Sequence, residues 1–228
     1  MIRIKGFIET SFVDWPGQIC SVLFLPGCNF RCPFCHNHRL VLEPGGYEDI
    51  PLEFIWERLE GMREWIDGVC ITGGEPTIYP ELPSFLREFK ERGIAVKLDT
   101  NGSHPQLLRE VIEEGLVDFV AMDIKAPLEE LSYRRAAGVP VDLKRIEESI
   151  EILLGGRVDY LFRVTVVPPL HDEEAIRKIA LRIRGAKALI LQGFNPQDPL
   201  DPALKEVSPY PEEWLKGLQG EVSSILKN

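Results

Sequence analysis

Residues 19–35 read ICSVLFLPGCNFRCPFC, an apolar run followed at once by three closely spaced cysteines. The run at 19–25 is rich in β-branched and aromatic side chains, so it predicts a buried strand. Cys28, Cys32 and Cys35 follow it with CxxxCxxC spacing. Thiolates on such a short loop can converge on one iron–sulfur cluster. Three cysteines on a four-iron cluster leave one iron open to bind a small molecule, as catalytic zinc sites do.

Two other interpretations of these cysteines stay open at this point. A structural zinc site would need a fourth ligand, which His36 or His38 could supply, but no second CxxC occurs and the spacing fits zinc ribbons poorly. The cysteines could also be ordinary thiols. A disulfide framework is disfavoured, because three of the five cysteines crowd into one short segment.

Strand-like runs and amphipathic helical patterns alternate along the rest of the chain. The predicted strands are residues 19–25, 69–72, 95–100, 119–124, 161–167 and 188–192. The predicted helices are residues 52–65, 81–91, 106–114, 143–154, 173–183 and 212–226, and Trp56 and Trp65 of the first are expected in the core. Repeated strand–helix units predict an α/β fold with a parallel sheet, either open and doubly wound or curled into a barrel. Because eight units typically need ~250 residues, we expect a partial (β/α)6 TIM-like barrel.

Glycine and polar residues concentrate directly after the predicted strands, where ligands bind in parallel α/β folds. They include Gly73-Gly74-Glu75-Pro76, Asp99-Thr100-Asn101-Gly102, Asp123-Ile124-Lys125 and Asn195. Alternation places Asp123 and Lys125 on the same side of their strand, where they either pair with each other or meet a polar ligand. Arg163 could also point inward, or form a surface salt bridge.

Composition and charge narrow the class of protein. The formal net charge of −10 over 228 residues argues against a nucleic-acid-binding protein, which needs a basic surface. The apolar run at 19–25 is far too short to span a bilayer, and the N-terminus lacks the pattern of a signal peptide. We therefore expect a cytoplasmic protein without membrane contact. It would form one domain over residues 1–228, with a core at about 6–195 and a helical extension at about 196–228.

Residues 127–142 form an unusually long connection that contains Ser132-Tyr133-Arg134-Arg135. Long connections in such folds are often functional, although a solvated loop explains this one equally well. Cys20 and Cys70 lie inside apolar strands and are expected to be small core residues.

The cysteine segment resembles the radical S-adenosylmethionine superfamily. Val13-Asp14-Trp15-Pro16-Gly17, followed by Gly27-Cys28-Asn29-Phe30-Arg31-Cys32-Pro33-Phe34-Cys35-His36-Asn37, is similar to the branch that activates glycyl radical enzymes. Within that branch the chain most resembles the activating proteins of anaerobic ribonucleoside-triphosphate reductase, with pyruvate formate-lyase activating enzymes close by. The resemblance extends from Gly6 to about Asn195.

The resemblance implies a 4Fe-4S cluster on the three cysteines and S-adenosyl-L-methionine as the second cofactor. It further implies that Gly73, Gly74 and Glu75 hold the methionine amino group and that Phe34 abuts the adenine. Packing of Phe34 over the cluster is the alternative. Asp14 could receive the partner's loop or be a plain turn carboxylate. The other residues that the resemblance places at the cofactor are Asp99, Thr100, Asp123, Lys125, Arg163 and Asn195, the last aligned where pyruvate formate-lyase activating enzymes carry a histidine.

The activity that the resemblance implies is reductive cleavage of S-adenosylmethionine and formation of a glycyl radical on a partner enzyme. That partner would be anaerobic ribonucleotide reductase, and the electron donor a flavodoxin or ferredoxin. Three alternatives stay open: activation of another glycyl radical enzyme, radical chemistry on a small molecule or peptide, and a non-catalytic metal-binding interaction module. No cysteine-rich region exists for auxiliary clusters, which disfavours the second alternative.

Overall fold

The computed structural model describes residues 2–227, which form a single seven-stranded sheet. Six strands are parallel: β2 (Cys20–Leu25), β3 (Gly68–Gly73), β4 (Ala95–Thr100), β5 (Phe119–Asp123), β6 (Asp159–Val166) and β7 (Leu189–Gly193). All six were predicted from the sequence. The strand β1 (Gly6–Ser11) was not, and it pairs antiparallel with β2 at the edge of the sheet.

The strand order decides between the two architectures that the sequence left open. The strands follow one another as β1-β2-β3-β4-β5-β6-β7, without the reversal that a doubly wound sheet requires. Right-handed crossovers in unbroken order place every connecting helix on the same face, so the sheet curls around the other face. Among residues 2–227, β7 pairs only with β6, and the barrel is therefore partial, as predicted.

The helices lie between the strands. Their bounds are α1 (His38–Leu42), α2 (Leu52–Gly61), α3 (Leu82–Glu91), α4 (Pro105–Glu113), α5 (Glu130–Ala137), α6 (Leu143–Leu154), α7 (Glu173–Arg182) and α8 (Glu212–Lys227). The short helices α1 and α5 were not predicted. Caps define several ends: the Asp142 carboxylate accepts from the Lys144 amide before α6, and Gly138 at φ 70° ends α5. Because α2 ends at Gly61, Trp65 lies beyond it and is 76% exposed, contrary to expectation.

The two faces of the sheet have different cores. The outer face packs against the helices through Leu23, Ile71, Leu98, Met122 and Phe162, which belong to one large apolar cluster. The strands therefore read as nearly continuous apolar runs, because both of their faces are covered.

On the inner face a separate small cluster contains Trp15, Cys20, Val22 and Cys70, with Phe119 packed against it. We call these five residues the apolar floor. Cys20 and Cys70 are fully buried there, as the sequence predicted. Trp15 is 6% exposed and its ring lies 6.1 Å from that of Phe119, centroid to centroid. The floor fills the inner face near the amino ends of the strands, so open space remains only towards their carboxyl ends.

The last helix, α8, covers the edge strand β7. The Gln219 side chain accepts from the Leu191 amide and donates to the Leu189 carbonyl, so it pairs with backbone groups that a free edge would leave open. None of the helices formed by residues 2–227 has the length and apolar character of a membrane-spanning segment.

Candidate active site

The carboxyl ends of the parallel strands surround one cavity of about 570 Å³. This volume is typical of a small-molecule site. The residues that the sequence predicted as site residues all line it, namely Cys28, Cys32, Phe34, Cys35, Gly73, Gly74, Glu75, Asp99, Thr100, Asp123, Lys125, Arg163 and Asn195. The fold thus brings together positions that lie up to 167 residues apart in the chain.

The cysteine loop between β2 and α1 is held by hydrogen bonds of its own. The Arg31 guanidinium donates to the carbonyls of Cys28 at 2.6 Å and Phe30 at 2.7 Å. The Phe30 amide donates to the Cys28 sulfur at 3.3 Å, and the Cys35 amide donates to the Cys32 carbonyl at 3.0 Å. Arg31 therefore fixes the loop from behind, while an amide hydrogen faces a sulfur, as suits a thiolate ligand.

The environment of the three thiols fits an iron–sulfur cluster. Burial raises the pKa of Cys28 to about 12 and that of Cys32 to about 11, so the bare site disfavours the thiolates that a metal requires. A metal centre supplies the positive charge that stabilises them. Within residues 2–227, no three Cys, His, Asp or Glu side chains surround a point that could hold a single metal ion. A four-iron cluster binds each thiolate at a different iron, so it does not require the three sulfurs to converge on one point.

Gly73 and Gly74 allow the loop after β3 to touch the loop that begins the cysteine segment. Gly73 has φ 114°, which side-chain-bearing residues avoid, and a Cβ on Gly74 would overlap the Gly27 carbonyl oxygen. The Gly74 amide donates to the Leu25 carbonyl at 2.8 Å, and the Glu75 amide donates to the Gly27 carbonyl at 2.9 Å. The two glycines are thus required by the contact between loops as well as being available to a ligand.

Glu75 is buried, and both of its carboxylate oxygens are engaged. One oxygen accepts from the Thr100 hydroxyl at 2.7 Å and from the hydroxyl and amide of Thr77, and the other accepts from the Asn101 amide at 2.6 Å. Burial raises the pKa of Glu75 despite these donors. The carboxylate therefore ties the loop after β3 to the end of β4, and its oxygens do not face the cavity as free acceptors.

A chain of ion pairs crosses the inner face above the apolar floor. Arg163 donates to Asp123 at 2.6 Å and to Asp99 at 3.3 Å, Lys125 pairs with Asp123 at 3.0 Å, and Lys97 pairs with Asp99. We call these five side chains the charged network. Arg163 points inward and is not part of a surface salt bridge, and Asp123 and Lys125 both pair with each other and line the cavity. Three cations and two carboxylates leave one positive charge unbalanced.

The charged network keeps Asp123 and Lys125 ionised. Burial alone would raise the pKa of Asp123, but Arg163 and then Lys125 hold it well below its usual range. Burial alone would lower the pKa of Lys125, but Asp123 raises it above its ordinary value. Lys125 therefore presents an ammonium group to the cavity, with its nitrogen 5.9 Å from the centre of the Phe34 ring.

Two further predicted residues lie at the cavity rim. Asn195 directs its side-chain oxygen to the Gln197 amide at 3.0 Å, while its carbonyl lies 2.7 Å from Nε2 of His36. A histidine thus contacts residue 195 although none stands at that position. Asp14 accepts from the Ser11 hydroxyl at 2.5 Å and also lines the cavity.

Several residues that position the site were given no role from the sequence. Lys97 is 1% exposed and belongs to the charged network, and its inward alternation with Asp99 could have revealed it. The Asn37 side chain donates to the Gly73 carbonyl at 2.8 Å, which joins α1 to the end of β3. Asn101 donates to Asn29 at 3.0 Å and so joins the cysteine loop to β4. Only the tertiary structure brings these amides together.

Comparison with known proteins identifies a family profile and several relatives that match this chain. Residues 22–183 match the sequence profile of the Radical SAM superfamily. A protein of Methanocaldococcus jannaschii that is named as a glycyl-radical enzyme activating enzyme is 33% identical over 215 residues, which cover 92% of this chain and 87% of that protein. The pyruvate formate-lyase-activating enzyme of Clostridium pasteurianum is 29% identical over an alignment of 243 positions, gaps included, which covers 100% of this chain and 99% of that enzyme.

The fold also occurs in solved structures. The crystal structure of Streptococcus suis SuiB bound to S-adenosylmethionine superimposes with a TM-score of 0.65 at 17% identity, over 89% of this chain and 48% of that one. At this identity the likeness concerns the fold alone.

Proposed function

This chain belongs to the radical SAM superfamily and is an activating enzyme for a glycyl radical enzyme, and we propose that its partner is an anaerobic ribonucleoside-triphosphate reductase. Its cofactors are a 4Fe-4S cluster and S-adenosyl-L-methionine. When bound, they supply a one-electron reductive cleavage that yields a radical able to take a hydrogen atom from a backbone glycine. The observation that carries the site assignment is the single cavity that contains the three cysteines, the glycine loop and the charged network.

We assign the cluster to Cys28, Cys32 and Cys35, which leaves one iron without a ligand from this chain. Phe30 supports the assignment with its amide hydrogen at the Cys28 sulfur, and Arg31 supports it by fixing the carbonyls of Cys28 and Phe30 within the loop. The side chain of Asn101 also approaches the Cys28 sulfur, at 3.8 Å. Such donors stabilise a thiolate more than a thiol.

The methionine end of the cofactor would lie between the glycine loop and Lys125. Backbone groups of Gly73 and Gly74 are accessible at the cavity wall and suit an ammonium group. Lys125, kept protonated by Asp123, suits the carboxylate, and the unbalanced positive charge of the network favours an anionic group at this place. Glu75 would act as a positioning residue, because its oxygens are already engaged by Thr77, Thr100 and Asn101.

The adenosyl end would lie near Phe34, Thr100 and Asn195, which line the same cavity. Phe34 offers an apolar ring face for a base, and Asn195 offers backbone and side-chain amide groups at the rim. Asp99 and Arg163, joined at 3.3 Å, would form the cavity wall below the ribose. Substitution of each of these residues should lower the affinity for S-adenosylmethionine, and that loss tests the placement.

The partner's glycine has to reach this cavity as part of a peptide loop. The strands β1 and β7 do not pair with each other within residues 2–227, and α8 covers the β7 edge, so we place the entry of such a loop on the side of β1. Asp14 lies at the cavity and could receive it. The five cysteines are free thiols, which suits the cytoplasmic location that we propose.

A pyruvate formate-lyase type of partner is the second candidate. The full-length similarity to the activating enzyme of Clostridium pasteurianum favours it. Asn195, aligned where enzymes of that type carry histidine, slightly weakens it. Both candidates share the site and the chemistry, and only the glycine-bearing protein differs.

Electron paramagnetic resonance under anoxic conditions tests the proposal. Cluster-loaded protein, reductant and S-adenosylmethionine are mixed with the anaerobic ribonucleotide reductase of the same source, and in parallel with a pyruvate formate-lyase. We expect a glycyl-radical doublet with the reductase, its loss in Cys32→Ala, and its retention in the matched variant Cys20→Ala, since Cys20 lies in the apolar floor.

The remaining outcomes reject defined parts of the proposal. A doublet with the lyase alone would transfer the assignment to the second candidate. Formation of 5′-deoxyadenosine without either doublet would reject both partners and point to a small-molecule or peptide substrate. No cleavage by a loaded enzyme would reject the site as described and favour an interaction module.

A further inference from the structure

The loop that joins β6 to α7 carries a buried histidine that the proposed function does not use. His171 is 1% exposed, and both of its ring nitrogens are engaged. Nδ1 lies 3.1 Å from the Val167 amide nitrogen, and Nε2 lies 2.8 Å from the Lys125 carbonyl oxygen. The ring therefore joins the loop after β6 to the residue that presents an ammonium group to the active-site cavity.

The two partners of the ring determine which of its nitrogens carries the hydrogen. A backbone amide can only donate, so Nδ1 is the acceptor for the Val167 amide. A carbonyl can only accept, so Nε2 carries the hydrogen and donates to Lys125. Burial lowers the pKa of His171, which keeps the ring neutral and preserves this single tautomer at neutral pH.

Lys125 lies beyond the paired part of its strand and is held there by His171. The last paired residues of β5 and β6 are Asp123 and Arg163, and the Ile124 amide then donates to the Arg163 carbonyl at 2.9 Å. One residue farther along, the Lys125 carbonyl accepts from the His171 ring and not from a neighbouring strand. The histidine thus extends the support of this backbone to the position from which the ammonium group reaches the cavity.

The loop that carries His171 is itself firmly held. The amides of Leu170 and His171 both donate to the Val167 carbonyl at 2.8 Å, which closes a tight turn. The Tyr210 hydroxyl donates to the His171 carbonyl at 2.9 Å, and the Tyr210 ring stacks on Trp214 of α8, with 3.9 Å between the ring centroids. The segment after β7 therefore fixes the backbone of the histidine while its ring faces the end of β5.

We propose that His171 is a positioning residue for S-adenosylmethionine: it holds the backbone of Lys125 so that the ammonium group meets the carboxylate of the cofactor. The proposal rests on the proposed function, because it presumes that this carboxylate lies beside Lys125. His171 is not one of the residues that line the cavity, so it acts only through Lys125.

A fixed ammonium group binds a carboxylate more tightly than a mobile one. Lysine has a long, flexible side chain, and the entropy lost when that side chain is ordered opposes binding. Asp123 holds the ammonium end of Lys125 at 3.0 Å, and His171 holds its backbone end at 2.8 Å. With both ends fixed, the charge is in place before the cofactor arrives, and less entropy is lost on binding.

Two substitutions separate the two hydrogen bonds of the ring. His171→Asn keeps an acceptor near the position of Nδ1, within reach of the Val167 amide, but its side chain is too short to donate to the Lys125 carbonyl. His171→Gln is long enough to place an amide donor near the position of Nε2, and it gives up the acceptor at Nδ1. Ile176→Val, at a buried position of α7, is the matched control for a loss of stability alone.

Each cluster-loaded protein is titrated with S-adenosylmethionine and, separately, with its decarboxylated analogue, which lacks the group that Lys125 would meet. Equilibrium dialysis gives the dissociation constants, and urea unfolding gives the stability of each variant. We expect His171→Asn to weaken binding of S-adenosylmethionine about tenfold and binding of the analogue by less than about twofold. His171→Gln should recover most of the lost affinity, and Ile176→Val should bind both compounds as the unsubstituted protein does.

The tautomer provides a readout that needs no cofactor binding. A long-range proton–nitrogen correlation spectrum of the cluster-loaded protein in its oxidised state, with isotope-labelled histidine, should show the Nε2–H form for the signal that disappears in His171→Gln. The Nδ1–H form would overturn the proposal, because Nε2 could then not donate to Lys125.

The binding assay has three further outcomes that overturn the proposal. They are unchanged affinity in His171→Asn, equal weakening of S-adenosylmethionine and its analogue, and the same loss in His171→Gln as in His171→Asn. Each would leave His171 with a structural role in its loop. Failure of the unsubstituted, cluster-loaded protein to bind S-adenosylmethionine would reject the proposed function and this proposal with it, so the two failures are distinguishable.

Discussion

The apolar floor and the charged network share one face of one sheet, yet they are stabilised in opposite ways. Val22 on β2 and Cys70 on β3 belong to the floor, and two residues further along the same strands Phe24 and Thr72 already line the cavity. The floor excludes water and contains no ion pair. The network holds two carboxylates and three cations, which are satisfied mainly by one another, with the Thr72 hydroxyl as a further donor to Asp99. Stability and ligand binding are therefore separable along the length of the same strands.

Lys97 stands at the boundary between the two regions. Its nitrogen lies 3.5 Å from the Cys70 sulfur of the floor and pairs with Asp99 of the network. A buried ion pair of this kind contributes little net stability, since desolvation of both charges offsets their attraction. Its retention is understandable if Asp99 has to be held in place for the site.

The largest expected effect comes from the floor. Trp15→Ala should lower the free energy of unfolding by about 4 kcal/mol, because a large, 6% exposed side chain leaves a cavity against Gly68 and Phe119. Urea unfolding of the protein measures this loss. In the fraction that remains folded, the affinity for S-adenosylmethionine, measured by equilibrium dialysis, should stay within about twofold of the original, because Trp15 packs in the apolar floor and is not one of the residues that line the cavity.

Trp15→Phe serves as the control, since it keeps an aromatic ring and should lose less than half as much. An equal loss of cofactor affinity and of stability in Trp15→Ala would show that floor and network form one cooperative unit. The separation argued above would then be wrong.

A somewhat smaller effect on stability, joined to a large effect on binding, is expected in the network. Arg163→Met leaves Asp99 and Asp123 without the cation that bridges them, and the free energy of unfolding should fall by about 3 kcal/mol. Binding of S-adenosylmethionine should weaken at least about tenfold, because the network loses the excess positive charge that favours an anionic group in the cavity. Arg163→Lys keeps the charge without the two-armed bridge and should lie between.

The pH dependence sharpens this prediction. Arg163 and Lys125 depress the pKa of Asp123, so their stabilisation is present above the ordinary pKa of 3.8 and is lost as the pH falls below it. In Arg163→Met the pKa of Asp123 rises, and protonation then relieves part of the strain. The destabilisation should therefore be smaller at pH 3 than at pH 6, and an equal loss at both values would contradict the electrostatic cause.

Most of the fold could be predicted from the sequence, because its strands are continuous apolar runs followed by glycine or charged residues. It missed β1, since residues 6–11 alternate between half-buried and exposed positions and give only a weak signal. It missed α5, whose apolar inner face consists largely of alanine. The site residues could be predicted because they follow strands. The roles of Asn37 and Asn101 could not, because these residues join loops that are distant in the sequence.

The smallest expected effect concerns the buried thiol of Cys20 in the apolar floor. Burial, and then the charge of Asp14, raise the pKa of Cys20 from 9.0 to about 11. Between these values the unfolded chain loses the proton while the folded chain keeps it, so this thiol stabilises the protein fully below pH 9 and progressively less as the pH rises towards 11. One thiol changes the free energy of unfolding by at most about 1.4 kcal/mol per pH unit.

From pH 9 to pH 10 the unsubstituted protein should lose about 1 kcal/mol more than Cys20→Ala, measured by urea unfolding at matched cluster content. The lysines of the network, Lys97 and Lys125, are the same in both proteins, so any contribution they make cancels in this comparison. Equal slopes for the two proteins would mean that water or a cation reaches Cys20, and the floor could then not be the sealed region that distinguishes it from the network.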